Sequence, residues 1–501
     1  MEKIKSDIRY KYTLLGTFLT GLFAHGFILT NKISFHDDIC SLYKIGYTWK
    51  MGRWTSGILQ GILSNSIGKY SMPFFEGILS IIFVAISACL LIDIFEVSDR
   101  YVCLVIGGLL ITFPVTAGVF QYMFMASIYF AALFLSVFAI WLVGKCRFGS
   151  CAAVICIALS LGIYQAFYAV GITILIFAFL KKLKEENFYD LCRLFIRYLV
   201  VEIAGLLFYF GIVKLALLIT GEKLAGYQGA DTMMKLSLID RLQRVRYCYR
   251  DVIDILYKNV DGVNPNAAIR LVIGFLLVGF VFLLFRYMKQ LILLWKKLFV
   301  IIVALILPIG VNLIYLMTTE KSDVHTLMRY PLVFLWLAPF LIMSIEKTYI
   351  NRLLKRTVLG LGGISIFLNI YFDNSVYLKM NFLQEQTSAY YTTLITQIKS
   401  CEGYKDEYPV CYIGMGMIED QTITHNEEYQ VDGFEVWEYD LAEWINNYAY
   451  FAYMSNHCGF KPTVIEQSEL NAEKEIKDMP VYPDAGAIRV INQVVVVKFA
   501  E

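Results

Sequence analysis

Apolar runs of bilayer-spanning length recur through the first 372 residues, and a chain built this way has few folds open to it. Roughly 20 apolar residues cross the hydrocarbon core as a helix. There, backbone polar groups must find partners within the helix or within protein. Such runs occupy 12–30, 73–95, 101–120, 122–143, 198–220, 267–285, 298–317, 330–346 and 356–372. With 58% hydrophobic residues, 15% aromatics and a mean hydropathy of +0.59, the chain lies far from soluble-domain composition. The fold class is therefore a polytopic α-helical membrane protein.

Charge settles the reading of 150–180, which is too long for one ordinary span and short for two. Lys145 and Arg147 precede it, and Lys181, Lys182 and Lys184 follow it. If both clusters are cytoplasmic, the chain crosses twice, turning near Tyr164-Gln165-Ala166. About eleven crossings result, with the amino terminus inside and the carboxyl terminus outside. Arg286, Lys289, Lys296 and Lys297 then fall inside, as do Lys347, Arg352, Lys355 and Arg356. The loops 31–72, 221–266 and 318–329, and the tail from 373, share the outer face. The basic leader Lys3, Lys5, Arg9 and Lys11 precedes the first run without a convincing small-x-small cleavage site, so an uncleaved first crossing is expected.

Several basic residues fall on the wrong side of this scheme: Lys44, Lys50 and Arg53; Arg241, Arg244, Arg246 and Arg250; Lys321 and Arg329. They suit an outer anionic ligand such as phosphate, although loops of this size also tolerate stray charges. Met233–Tyr257 carries Leu236, Ile239, Leu242, Val245, Tyr249, Val252 and Leu256 at helical spacing, the pattern of a basic helix lying on a surface. Lys214, near the outer end of an apolar run, either contacts lipid phosphate or snorkels. A net charge of +2 gives no reason to expect nucleic acid.

The composition changes at 373, where spans stop and acidic residues accumulate. Tyr377–Ser400 reads as a helix, and 409–414 and Arg489–Phe499 read as buried strands. Residues 373–501 are thus expected to form a small extracytoplasmic α/β domain beside the transmembrane region 1–372. Its aromatics Trp437, Tyr439, Trp444, Tyr448 and Tyr450 can stack on sugar rings or pack a helix of the domain's own core. The 11 cysteines show no metal or redox spacing, though Cys401 and Cys411 can pair outside a reducing compartment.

Candidate chemistry centres on Phe35-His36-Asp37-Asp38, two adjacent carboxylates just past the first span. They form either a polar turn or a general base at the bilayer surface. Arg53, flanked by Trp49 and Trp54, is either a phosphate ligand or an interfacial anchor. Gln165 at the tight hairpin can reach a sugar hydroxyl or cap a helix, and Glu76 is a candidate for the site rim. His36 and His325 can join the aspartates around a divalent metal, but no ligand spacing marks such a site, and no cofactor is assigned.

Together these stretches resemble the Gtr-type glucosyl transferase II family, which decorates bacterial O-antigens and related surface polysaccharides. The resemblance rests on the Asp37-Asp38 pair, Gly52-Arg53-Trp54, Ile163-Tyr164-Gln165-Ala166-Phe167, Tyr377-Leu378-Lys379 and Pro483-Asp484-Ala485-Gly486. Each motif is short, and their order carries the weight. The resemblance implies a type C glycosyltransferase (GT-C) fold in the bacterial inner membrane, with a catalytic aspartate in the first outer loop. It also implies a polyprenyl-phosphate-linked sugar donor, glucose being the first expectation. The acceptor would be a polysaccharide or lipid-linked glycan. On this reading Asp37 or Asp38 is the base, and Arg53, Lys214, Gln165, Tyr164, Arg329 and His325 are candidates for holding donor phosphate or substrate. A ligase or polymerase of lipid-linked glycans, or a flippase, would suit the same size of fold. The ligase or polymerase would not need the aspartate pair; against a flippase, the charges cluster in outer loops and the sequence shows no internal repeat of the transporter kind.

Overall fold

The computed structural model describes residues 7–33, 37–38, 49–66, 71–146, 148–225, 236–260, 262–264, 266–318, 324–346, 351–414, 443–470 and 472–500. Its helices are α1 Ile8–Thr30, α2 Trp54–Ser66, α3 Pro73–Ile94, α4 Arg100–Thr112, α5 Val115–Gln121, α6 Met123–Lys145, α7 Gly149–Ile163 and α8 Tyr168–Glu185. After these come α9 Phe188–Thr220, α10 Leu238–Tyr257, α11 Ala267–Lys289, α12 Leu294–Val311, α13 Val333–Glu346 and α14 Arg352–Ser400. The remaining elements are β1 Val410–Ile413, α15 Glu443–Cys458, α16 Glu473–Lys477, β2 Ile488–Ile491 and β3 Val494–Lys498.

Among the described residues, 9 helices are long and apolar enough to cross a membrane, or 10 if the bent pair α4–α5 is one span. The stretch 150–180 is two helices, α7 and α8, separated by a 3-10 turn at Gln165–Phe167. Two compact units separate. One takes the described chain to Lys32 and from Trp49 through Tyr377; the other gathers Ile33, Asp37, Asp38 and the chain from Leu378.

In the first unit, small residues let helix backbones approach. A Cβ on Gly107 of α4 would stand 2.6 Å from the carbonyl oxygen of Thr13 on α1, so only glycine fits there. The 45° bend between α4 and α5 falls at Phe113-Pro114. Pro114 has no N–H to give the carbonyl of Leu110 four residues earlier. The Tyr330 hydroxyl donates to that carbonyl instead, at 2.7 Å. The next carbonyl, Ile111 O, meets His25 Nε2 at 2.8 Å, while His25 Nδ1 lies 2.8 Å from the Tyr377 hydroxyl. A carbonyl can only accept, so Nε2 carries the proton and Tyr377 donates to Nδ1. The second break, at Gln165–Phe167, is closed by Ser136. Its hydroxyl donates to Phe167 O at 3.0 Å and accepts from Gly171 N at 3.2 Å.

Charges tie helix ends together where the basic clusters gather. Glu346 is fully buried and meets Arg286 at 3.2 Å and the Gln290 amide at 2.8 Å. Lys181 meets Glu96 at 2.9 Å and donates to Ile94 O at 2.8 Å. Asp99 caps α4, accepting from Tyr101 N at 2.8 Å and Val102 N at 3.1 Å, and pairs with Lys355 of α14.

α14 runs unbroken for 49 residues, so the compositional change at 373 is not a break in the backbone. No proline or glycine falls between Gly363 and Ser400 to stop it. Its residues through Tyr377 belong to the first unit and those from Leu378 to the second.

The second unit contains a three-stranded sheet in the order β1-β3-β2, with β1 parallel and β2 antiparallel to β3. β3 is central and buried along its whole length, which explains the uninterrupted Val494–Val497 run. Arg489–Phe499 is not one strand. It is a hairpin turning at Asn492 and Gln493, both at positive φ (49° and 63°), as a two-residue turn of this hand requires. Cys411, Ile413, Leu470, Ile476, Met479, Val494 and Val496 form its core. Cys401 and Cys411 are both free thiols, and Cys401 Sγ lies 3.5 Å from Ile488 O.

Asp99 sets a test of the bundle. Burial alone would raise its pKa, but Lys355 and the two backbone N–H groups outweigh that and hold the carboxyl below its ordinary value. A depressed carboxyl stabilises the fold fully above the ordinary aspartate range, about pH 4. That contribution is lost as pH falls through the folded value. Asp99→Ala should therefore lower stability at pH 7 by about 1 kcal/mol, with Asp99→Asn costing less because it still caps. Thermal unfolding in detergent at pH 7 measures both; equal, unshifted midpoints would show that the cap contributes nothing.

Candidate functional site

The site is built around Gly52-Arg53-Trp54. Trp49–Met51 makes a single 3-10 turn, closed by Gly52 N donating to Trp49 O at 3.0 Å. Gly52 follows in the left-handed region at φ 71°, which glycine adopts at little cost. Space also demands glycine there: a Cβ would stand 2.6 Å from the Tyr209 hydroxyl and 3.4 Å from Gln165 Nε2. The Gln165 amide donates to Met51 O at 3.0 Å and to the Tyr209 hydroxyl at 2.9 Å. The hairpin break between α7 and α8 thus clasps the turn that carries Arg53.

Arg53 is half-buried, with its guanidinium carbon 4.6 Å from the centre of the Tyr164 ring. Stacking on an aromatic face orients a guanidinium. Trp54 and Thr55 begin α2 buried against α7, where a Cβ on Gly162 would lie 2.7 Å from Trp54 Cε2. Trp54 is therefore packed into the bundle rather than standing at an interface. On the other flank Lys50 pairs with Glu222 at 3.0 Å, and Ala225 N donates to Lys50 O at 2.9 Å. Lys50 is thus matched by a carboxylate.

Of the residues expected from sequence, Arg53, Tyr164 and Gln165 come together. Lys214 lies exposed on α9, well round the helix from the buried Tyr209, and is not part of this cluster. Arg329 sits in the 3-10 helix Thr326–Leu332, with His325 just before it. Its guanidinium donates to the Tyr315 hydroxyl at 3.0 Å and lies 3.5 Å from Asp251 of α10. Its neighbour Tyr330 touches Phe167, with ring centres 5.7 Å apart. Glu76 accepts from Ser127. In the second unit Asp37 and Asp38 are helical; Asp38 is fully buried and Asp37 half-buried. His36, Trp437 and Tyr439 lie outside the described residues, as do the side chains of Trp444, Tyr448 and Tyr450. Among the described residues, no three His, Cys, Asp or Glu side chains gather as metal ligands would. Tyr209 was missed because one tyrosine in an apolar run carries no periodic signal.

A family model described as Glucosyl transferase GtrII matches residues 26–343, a segment containing the first loop, the Arg53 turn, the hairpin break and the Arg329 helix. The chain belongs to that family. It is accordingly a membrane glycosyltransferase of the GtrII kind, a glucosyltransferase by family. No curated protein and no solved structure matches it.

The clasp makes a coupled prediction for this GtrII member. Gly52→Ala puts a side chain into left-handed backbone, costing about 1–2 kcal/mol, and drives it into the Tyr209 hydroxyl. Tyr209→Phe removes that oxygen. The double variant should therefore be more stable than the two single losses sum to, by about 0.5–3 kcal/mol. Strict additivity in thermal unfolding would mean that Gly52 and Tyr209 do not meet.

Proposed function

We propose that this glucosyltransferase moves a hexose, glucose first, from a polyprenyl-phosphate donor to a hydroxyl of a cell-surface glycan on the outer face of the inner membrane. In this reading the bundle is of the GT-C type, with about eleven crossings and its amino terminus in the cytoplasm. The observation that carries the proposal is Arg53, oriented over Tyr164 on a turn that Gln165 and Tyr209 lock in place. A preset guanidinium offers phosphate a fork of charge-assisted donors at low entropic cost.

The chemistry needs little more. The departing polyprenyl phosphate is a weak base, with a second pKa of roughly 6, so no strong general acid is required. The acceptor hydroxyl attacks the anomeric carbon as the bond to the phosphate oxygen breaks, inverting that centre. A carboxylate takes the hydroxyl proton. Asp37 and Asp38 supply that carboxylate, and their grouping with the chain beyond Leu378 supports a division of labour. The second unit serves the acceptor, while the helix bundle holds the donor.

Two measurements test this. In membranes with normal protein levels, Asp→Asn at the base should cut turnover by roughly a hundredfold with little change in donor KM. Arg53→Ala should instead raise donor KM. Near-normal transfer from a synthetic polyprenyl-phosphate hexose by both single Asn variants and by the double would reduce the aspartates to a polar turn. For orientation, a cysteine placed at the exposed Lys223 in a cysteine-depleted chain should be blocked by an impermeant thiol reagent in intact cells. Labelling only after permeabilisation would invert the scheme.

A further inference from the structure

Helix α10 is amphipathic the wrong way round for a helix in water. Arg241, Arg244, Cys248, Asp251 and Asp254 face the protein. Arg241 donates to Leu316 O at 2.6 Å, and Arg244 donates to Thr318 O. Cys248 and Asn312 exchange side-chain and backbone contacts at 3.0 and 3.3 Å. Asp251 accepts from the Tyr315 hydroxyl at 3.1 Å. The apolar side chains point away: Leu238 is 73% exposed, Ile239 67% and Leu242 62%, with Ile253, Leu256 and Tyr257 exposed beyond them. A surface helix of a soluble domain buries its apolar stripe and wets its charges; here six apolar side chains are exposed while Asp251 and Asp254 are buried.

Two further observations identify what covers that stripe. Tyr249, on the outward half of α10, donates from its hydroxyl to Leu305 O of α12 at 2.5 Å. α12 is one of the helices apolar enough to cross a membrane, and its Ile301, Ile302, Leu305 and Ile306 are exposed. The outward face of α10 therefore continues an exposed apolar surface on a candidate spanning helix. Arg250 lies at one edge of the stripe and Arg246 within it, between Ile253 and Ile239; both are exposed, and their guanidinium groups can reach headgroup phosphate while their stems stay in apolar surroundings. A capping box at Ser237 and Asp240 starts the helix and satisfies the N–H groups of those two residues.

We propose that α10 is an in-plane membrane helix whose apolar face is covered by the acyl chains of the bilayer, with Arg246 and Arg250 at the phosphate level. This adds a membrane contact that family membership does not supply, and it stands independently of the donor and acceptor. It also gives the Arg329–Asp251 pair a setting, since Asp251 projects from the inner side of a helix anchored in lipid.

The full-length, cysteine-depleted protein, reconstituted in phosphatidylcholine–phosphatidylglycerol vesicles, tests the proposal by site-directed spin labelling. Nitroxides go at Leu238, Leu242 and Ile253, at the exposed polar Gln243, and at Ile302 of α12 as a lipid-facing reference. The three apolar positions should match Ile302 in favouring oxygen over an aqueous nickel chelate, at a depth of roughly 5–10 Å, with Gln243 reversed. Chelate access at the apolar positions, with Ile302 still lipid-like, would put α10 in water and overturn the proposal. Low access to both reagents would overturn it too, by showing that protein covers the face.

Discussion

Every break in a helix of this bundle returns backbone groups that must be satisfied without water, and the architecture follows from how two breaks are closed. At the first, Pro114 frees a carbonyl and Tyr330 reaches across from a distant segment to take it. At the second, Ser136 bridges Phe167 and Gly171. Tyr330 joins the two, because its ring also packs against Phe113 and Phe167. An unsatisfied carbonyl in hydrocarbon costs several kcal/mol, so these side chains are conditions for the chain's path.

The candidate donor site is a by-product of the second break. Irregular backbone inside a membrane protein is tolerated where it is enclosed by protein or lines a cavity. Here it frees Gln165 to bond sideways, to the carbonyl of Met51, rather than along its own helix. The result is a loop from the other side of the chain whose arginine is oriented before any substrate arrives. Preset charge of this kind needs little reorganisation when a phosphate binds or departs.

Much of this was legible in the sequence, for reasons that also explain the rest. Spans are long and their signal adds up over 20 residues, and 150–180, read as a hairpin from the lysines on either side, holds two helices. The Arg53, Tyr164 and Gln165 association was visible only as three short motifs; Tyr209, which locks it, is indistinguishable in sequence from any lipid-facing tyrosine. The run Arg489–Phe499 was read as one strand because Asn492-Gln493 lacks the glycine that usually marks a two-residue turn. The apolar period of α10 was plain, but a period cannot say whether its stripe faces protein or lipid. At 373 the chemistry of the side chains changed while nothing interrupted the backbone, so a boundary of composition was not a boundary of helix.

The bond between Tyr330 and the carbonyl left by Pro114 also bears on how such a chain can diverge. While residue 114 is proline, losing the hydroxyl at 330 strands a carbonyl; once 114 regains an N–H, that carbonyl no longer depends on the hydroxyl. The second change thus removes the cost of the first. Drift at these two positions, more than two hundred residues apart in sequence, should therefore be correlated among descendants, leaving a trace of the kink in their genealogy.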